Sequence, residues 1–239
     1  IFFDGVMTDA EIMINGKPAG EMHQGGFYRF NYDITELLNL GKKNQLEVKV
    51  AKESANRSIN AAERKADWWL FGGIYRPVWL EVLPQVHMEH FVLNADHHGK
   101  LQTAVDMAGD AKGHEIIVSV RSLKDGKTVY TSNGQTTITH PINNSDKEQM
   151  ISGEWASIIP WSTENPNLYV AKLELKNPEG KIVQTRETRI GFRTVEFFPQ
   201  DGVYLNGTKL VVKGINRHSF SVDAVSYTHL RAHETSAHL

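Results

Sequence analysis

The 239-residue sequence contains no cysteine. Disulfide frameworks and thiolate metal sites are thereby excluded, but cysteine usage alone does not separate cytosol from periplasm. No charge of one sign dominates either: 26 Lys+Arg stand against 28 Asp+Glu, a net −2. The chain therefore has no field that would draw it to nucleic acid or to an anionic membrane. No apolar run approaches the roughly 20 residues that a spanning helix requires. The first residues, Ile1-Phe2-Phe3-Asp4-Gly5, offer no initiator Met, basic stretch or apolar leader core. A start inside a longer protein is expected, with a lost signal peptide left open and the location leaning to periplasmic or secreted rather than cytoplasmic. No cofactor motif is present, and nothing in the sequence fixes an oligomeric state.

What is present is a sequence with 40% hydrophobic residues, enough for one large or two ordinary domains with real cores. Turn dipeptides recur along it: Asp4-Gly5, Asn15-Gly16, Asp125-Gly126, Asn133-Gly134, Asp201-Gly202 and Asn206-Gly207, each suited to the positive φ of a tight hairpin. Alternating runs lie between them. Leu46, Val48 and Val50 oppose Glu47 and Lys49; Leu101, Thr103, Val105 and Met107 alternate with Gln102 and Asp106; Tyr169, Ala171, Leu173 and Leu175 alternate with Lys172 and Glu174. Period two with one polar face predicts half-buried antiparallel strands. One helical turn is predicted, in DITELLNLG, with Asp33 as cap, Glu36 at the capping-box position and Gly41 as stop. Little helix and many strands predict an all-β architecture of sandwiches.

Two boundaries are legible. Pro84 interrupts pairing between a strand ending at Val82 and one beginning near Val86. Further on, a hairpin from Val203 to Leu205 and Lys209 to Leu210 leads into Leu210-Val211-Val212, an apolar run that fits a strand buried on both faces, as in a parallel barrel.

Several segments, in order, resemble glycoside hydrolase family 2, the family of β-galactosidases, β-glucuronidases and β-mannosidases. FDGVMTDAEIMINGKPAGEMHQGGFYRFNYDITELL with NQLEVKV, then WWLFGGIYRPVWLE, are similar to its amino-terminal jelly-roll, the sugar-binding domain. IPWSTENPNLYVAKLEL and RIGFRTVEF resemble the end of its immunoglobulin-like sandwich, and VYLNGTKLVVKGINRHSF the opening of its (β/α)8 barrel. The resemblance implies a partial jelly-roll β-sandwich over residues 1–85, an immunoglobulin-like β-sandwich over 86–192 and the start of a truncated (β/α)8 barrel over 193–224. VSYTHLRAHETSAHL resembles translated adapter sequence found at the ends of some metagenome-derived gene predictions, so 225–239 is expected to be non-native. A jelly-roll has about eight strands, and residues 1–82 supply only the later ones.

By the same resemblance the parent cleaves β-glycosides, with β-galactosidase the first specificity and a carbohydrate substrate. Retention needs two carboxylates about 5–5.5 Å apart, which the family carries on later barrel strands; neither has a counterpart here, so no catalytic residue is assigned and this chain alone is expected to be inactive. Asn216, Arg217 and His218, at the carboxyl end of the first barrel strand, are the candidate substrate contacts of the parent. The rival is a non-catalytic sandwich module that binds carbohydrate or a partner subunit.

Other residues invite a chemical role and a plainer one. His229 and His233, with His238, have helical spacing for zinc but not the order of a zinc motif, and no metal site is assigned. Trp68, Trp69, Phe71, Tyr75 and Trp79 gather around Gly72-Gly73 and read as core or interface ahead of a sugar platform. Arg76 reads as an ion-pair partner, Trp161 and the Asn165-Pro166 turn as structural, and His97-His98 as a solvated loop. Asn56, Asn143 and Asn206 stand in chance-level glycosylation patterns.

Overall fold

The computed structural model describes residues 1–65, 71–144 and 146–214. Strands dominate, and the described residues divide into two compact units, Ile1–Val82 and Leu83–Gly214. No helix among them is long and apolar enough to cross a membrane.

In the first unit the strand Asp9–Ile14 pairs antiparallel with Lys17–Pro18 on one side and Leu46–Ala51 on the other. Asn15 and Gly16, both at positive φ (52° and 77°), make the turn that the dipeptide predicted. A second small sheet sets Phe2–Phe3 between Phe30–Asn31 and Val78–Trp79, and Val6–Met7 pairs with Gly73–Ile74. Their inward residues form one core of Ile1, Phe3, Val6, Ala10, Ile12, Ile14 and Ile34. Phe3 stacks on Phe30 at 5.0 Å. The Leu46–Ala51 strand alternates as expected, yet Val48 and Val50 are only half-buried and Leu46 is exposed.

The predicted helical turn is a short 3-10 segment, Thr35–Leu37. Asp33 stabilises it from one residue before the cap: its Oδ1 accepts from Thr35 N (2.9 Å) and Thr35 Oγ1 (2.6 Å). The α-helix of this unit, Arg57–Arg64, was not expected. It buries no residue and is polar on average, so its short apolar face did not stand out; its signal was Asn56, whose side chain accepts from Ser58 N at 2.9 Å as an N-cap.

The second unit is a sandwich. One sheet orders Glu148–Glu154, Lys100–Ala108 and His87–Ala95; the other places Tyr169–Lys176 between Glu115–Ser122 and Ile182–Ile190, with Thr128–Val129 and Thr137–Pro141 along the far side of Glu115–Ser122. The alternation read in sequence is the inside–outside alternation of these strands. Leu101, Val105 and Met107 meet Ile116, Val118, Val120, Ala171, Leu173 and Leu175 in one core, as facing sheets do. Trp155, with Phe192, is among the largest buried side chains.

A third sheet follows, Val195–Phe198, Gly202–Leu205 and Thr208–Leu210. Asn206, at φ 50° in its turn, ties it to the sandwich: Asn206 Oδ1 accepts from Thr194 N (2.9 Å), and Asn206 Nδ2 donates to Trp161 O (2.9 Å). An N-linked glycan would need that nitrogen. Asn206→Ala removes both partners of two part-buried main-chain groups and is expected to cost about 1–3 kcal/mol, read as a lower urea midpoint with unchanged slope. Beyond Leu210 the structure departs from the expected doubly buried strand. The strand ends there, and Val211 and Val212 are 75% and 74% exposed, because no other described element packs on both their faces.

Candidate functional site

A polar cluster surrounds the loop His23-Gln24-Gly25-Gly26-Phe27-Tyr28 in the first unit. The loop is anchored from three directions. Behind it, the buried Asp9 accepts from Gln24 Nε2 (3.1 Å) and Ala55 N (2.8 Å) through Oδ2. Beside it, both Glu63 oxygens accept from Gly26 N (3.0 and 2.9 Å). On the other flank Tyr75 Oη donates to Gly26 O, and Arg76 Nη1 donates to Phe27 O (3.2 Å) and Asp4 O (3.4 Å).

Of the two glycines, Gly25 is required by its backbone conformation, and both stand close to neighbouring side chains. Gly25 sits at φ +113°, and a Cβ there would lie 2.3 Å from Tyr28 Oη; a Cβ on Gly26 would lie 2.8 Å from Met7 Cε. His23 packs its ring against Phe30 at 3.7 Å, edge-on to Tyr28 at 5.1 Å, and donates from Nε2 to Gly25 O (2.9 Å). Tyr28 itself remains largely exposed.

Burial pushes the Asp9 carboxyl upward, but hydrogen bonds from Ser54, Ala55 N–H and Gln24 outweigh it and hold the group below its usual range. Burial pulls His23 below its usual value, against the opposing effect of its bond to Gly25 and of Glu63 and Asp9. Burial raises the Tyr75 phenol. Both depressed groups bind fewer protons folded than unfolded, so their contribution is present above the unfolded value and is lost as pH falls. The unfolding midpoint of the 239-residue chain is therefore expected to decline as pH drops below about 6.5, where unfolded His23 begins to protonate, and His23→Asn is expected to flatten that first decline. A slope unchanged by the substitution would contradict the assignment.

Glu63 and the Oδ2 of Asp9 accept from main-chain N–H groups and act as loop anchors, while Asp9 Oδ1 is buried without a hydrogen-bond partner among the described residues. Among the described residues no group of three or more His, Asp or Glu side chains is arranged to hold a metal ion. The second unit carries two adjoining clefts of about 270 and 510 Å³ that share Ser122, Asp125, Ile159 and Tyr169. The Tyr169 hydroxyl there is already committed to Ile159 N (2.7 Å) and Ile159 O (3.3 Å).

Several residues singled out in sequence have other roles here. Phe71 stacks on Tyr75 at 4.8 Å and Phe2 on Trp79 at 5.2 Å, with Arg29 4.7 Å over the Trp79 ring; Phe71, Tyr75 and Trp79 are half-buried and lie outside both hydrophobic cores. Arg76, read as an ion-pair partner, instead clamps two main-chain carbonyls and lies 5.2 Å over Tyr75. His97, read as solvated, is half-buried with Nδ1 2.6 Å from Thr194 Oγ1. Trp161 is structural: Arg193 lies 4.8 Å over it, and its N donates to Phe192 O. Trp68, Trp69, Asn216, Arg217, His218, His229, His233 and His238 lie outside the described residues. Of the residues around this loop only Tyr75 and Arg76 were singled out in sequence, and neither for the loop; its anchors Asp9 and Glu63 come from distant segments that sequence spacing does not connect.

Comparison with known proteins adds an independent line. A family profile described as glycosyl hydrolases family 2, sugar binding domain, matches residues 1–84, and one described as glycosyl hydrolases family 2 matches residues 86–193. The chain is 30% identical over 222 residues to a β-galactosidase of Thermoanaerobacter pseudethanolicus, covering 91% of this chain and 29% of that protein. It is 31% identical over 236 residues to a β-galactosidase of Kluyveromyces lactis, covering 90% and 22% respectively. A solved β-glucuronidase of Bacteroides uniformis superposes with a TM-score of 0.67 at 26% identity, over 91% of this chain and 27% of that one. The chain thus spans less than a third of each.

Proposed function

This chain belongs to glycosyl hydrolases family 2, and from that premise we propose that it is an accessory, non-catalytic portion of a longer retaining β-glycosidase, with β-galactosidase the preferred specificity. The observation that carries the proposal is the order of the two matched segments, a sugar-binding domain followed directly by a second family segment, each with its own sheets and core. In this reading residues 1–85 are the jelly-roll, 86–192 the immunoglobulin-like sandwich and 193–224 the opening of the barrel.

Retaining hydrolysis needs one carboxyl held protonated and one ionised on the two sides of the anomeric carbon. By the family resemblance that pair is carried on later strands of the barrel, beyond Gly214 in the whole protein, and the anchored carboxylates Asp9 and Glu63 are not assigned to it. Asn216, Arg217 and His218 are proposed as substrate contacts at the mouth of that barrel, where strand ends meet the substrate. The first unit contributes the carbohydrate-facing accessory surface; the exposed Tyr28 and partly exposed Phe27, held by the anchored loop, supply rings with an apolar face.

The test is a hydrolysis assay of the purified 239-residue chain with chromogenic β-galactoside and β-glucuronide. No turnover above the uncatalysed rate is expected. Turnover abolished by no substitution outside residues 1–214 would place the catalytic acids inside the described units and contradict the proposal.

A further inference from the structure

The turn pairs Asn15-Gly16, Asn133-Gly134 and Asn206-Gly207 each hold the parts of an intramolecular reaction. The asparagine supplies an amide carbon, and the next residue supplies a main-chain nitrogen with no side chain to shield it. The glycines are equally open, since nothing lies within 4 Å of a Cβ added to Gly16, Gly134 or Gly207. The asparagine side chains differ.

Asn15 and Asn206 are half-buried, and both ends of each amide are tied. Asn15 Nδ2 donates to Leu37 O (2.9 Å) and Asn44 Oδ1 (2.8 Å), and its Oδ1 accepts from Gln45 N (2.9 Å). Asn206 is held by Thr194 N and Trp161 O, both at 2.9 Å. Asn133 is exposed, and among the described residues no group bonds its side chain. Its turn runs from Thr131 to Gln135, with Thr131 N donating to Gln135 O (2.8 Å) and Gly134 N to Thr131 O (2.8 Å). The second bond ties the attacking nitrogen, but it lies at an exposed turn tip, where local opening costs little. Freeing the amide of Asn15 or Asn206 instead breaks bonds that hold separate segments together.

We propose that Asn133 is a site of spontaneous deamidation in the folded chain, and that the other two pairs are protected by their own hydrogen bonds. The main-chain nitrogen of Gly134, losing its proton to solvent base, attacks Asn133 Cγ. The new C–N bond closes a succinimide ring, and the side-chain nitrogen leaves as ammonia. Water then opens the ring at either carbonyl and gives aspartate or isoaspartate, each with an added negative charge. The change falls on a turn that is joined to the sandwich: Ser132 N and Oγ donate to Glu154 O (2.8 and 3.1 Å), and Thr131 pairs with Trp155 in a bridge. Isoaspartate lengthens the main chain by a methylene inside that turn.

The test incubates the purified 239-residue chain at mildly alkaline pH in heavy-oxygen water and follows the asparagines by peptide mass spectrometry, because the label enters a side chain as its amide is lost. Asn206 is the deciding comparison, since it lies in the same unit as Asn133. In the folded chain Asn133 should convert about tenfold faster or more, the rate factor that two retained hydrogen bonds supply. In urea, where those bonds are gone, the two rates should converge. Gly134→Ala, at a turn tip with room for the Cβ, should slow conversion at Asn133 severalfold by crowding the nitrogen and leave Asn206 unchanged. Equal conversion of Asn133 and Asn206 in the folded chain overturns the inference. So does a folded chain in which neither converts while the unfolded chain converts both, because the bond from Gly134 to Thr131 would then protect the turn. Conversion at Asn133 undiminished by Gly134→Ala would rule out ring closure through that nitrogen and equally overturn it.

Discussion

Trp155→Ala is expected to lower the unfolding free energy of the second unit by about 3–5 kcal/mol. The indole is 1% exposed and belongs to the sandwich core. Its surroundings are tight: a Cβ on Gly153 would fall 1.7 Å from Ile138 Cδ1 and 2.9 Å from the ring, and Trp155 N donates to Gly99 O at 2.9 Å. Neighbours fixed by sheet pairing cannot collapse into the space that truncation leaves, so both the transfer loss and a cavity penalty apply. Trp155→Phe separates these terms. The Nε1 donor is buried without a hydrogen-bond partner, and an unmet buried donor costs about 1–3 kcal/mol. Phenylalanine keeps most of the apolar contact and removes that donor, so its loss should be a small fraction of the alanine loss. Urea unfolding followed by tryptophan fluorescence and by far-UV circular dichroism reads both; equal losses for the two variants would show that ring packing is not what the residue contributes.

Gly99→Ala is expected to cost roughly 3 kcal/mol, at the upper end of ordinary single substitutions. Its φ is +96°, a region disfavoured for residues with a side chain, and a Cβ would sit 2.3 Å from Trp155 O. That oxygen is backbone, just past the strand Glu148–Glu154 and in a bridge with Thr131, so no side-chain rotation relieves the overlap. Gly126→Ala is the control. Gly126 also has positive φ (+72°), but nothing lies within 4 Å of its added Cβ, which leaves only the conformational cost of roughly 1–2 kcal/mol. Thermal unfolding of the two variants should rank them in that order, and a Gly126 loss matching the Gly99 loss would refute steric overlap as the cause.

These two residues also mark what sequence could and could not disclose. The strands Lys100–Ala108 and Tyr169–Lys176 were legible because burial on one face repeats every second residue, so Leu101, Val105, Leu173 and Leu175 announced the core they occupy. Turns such as Asn15-Gly16 were legible because few residues accept positive φ. Trp155 gave no such signal, since its burial comes from the meeting of two sheets. Arg57–Arg64 was missed because it is short, polar on average and buries nothing, so its few apolar residues gave no core face to read. Arg76 and His97 were misplaced for a related reason: a polar residue's partner, here the carbonyls of Asp4 and Phe27 or the hydroxyl of Thr194, is chosen by the fold rather than by neighbouring sequence. The loop of Gly25 and Gly26 was not legible, because its anchors Asp9 and Glu63 are brought to it from distant segments only by the fold.

The central claim is that the two β-units belong to a longer glycosidase whose catalytic carboxylates lie downstream. Sequencing the source DNA through and beyond the codon for Ala224 tests it most directly. An open frame continuing into successive strand–helix units, with two well-separated glutamates at strand ends, is the predicted result. A native stop codon directly after Leu239 would contradict it, and glycan binding by the purified chain would then become the activity to measure.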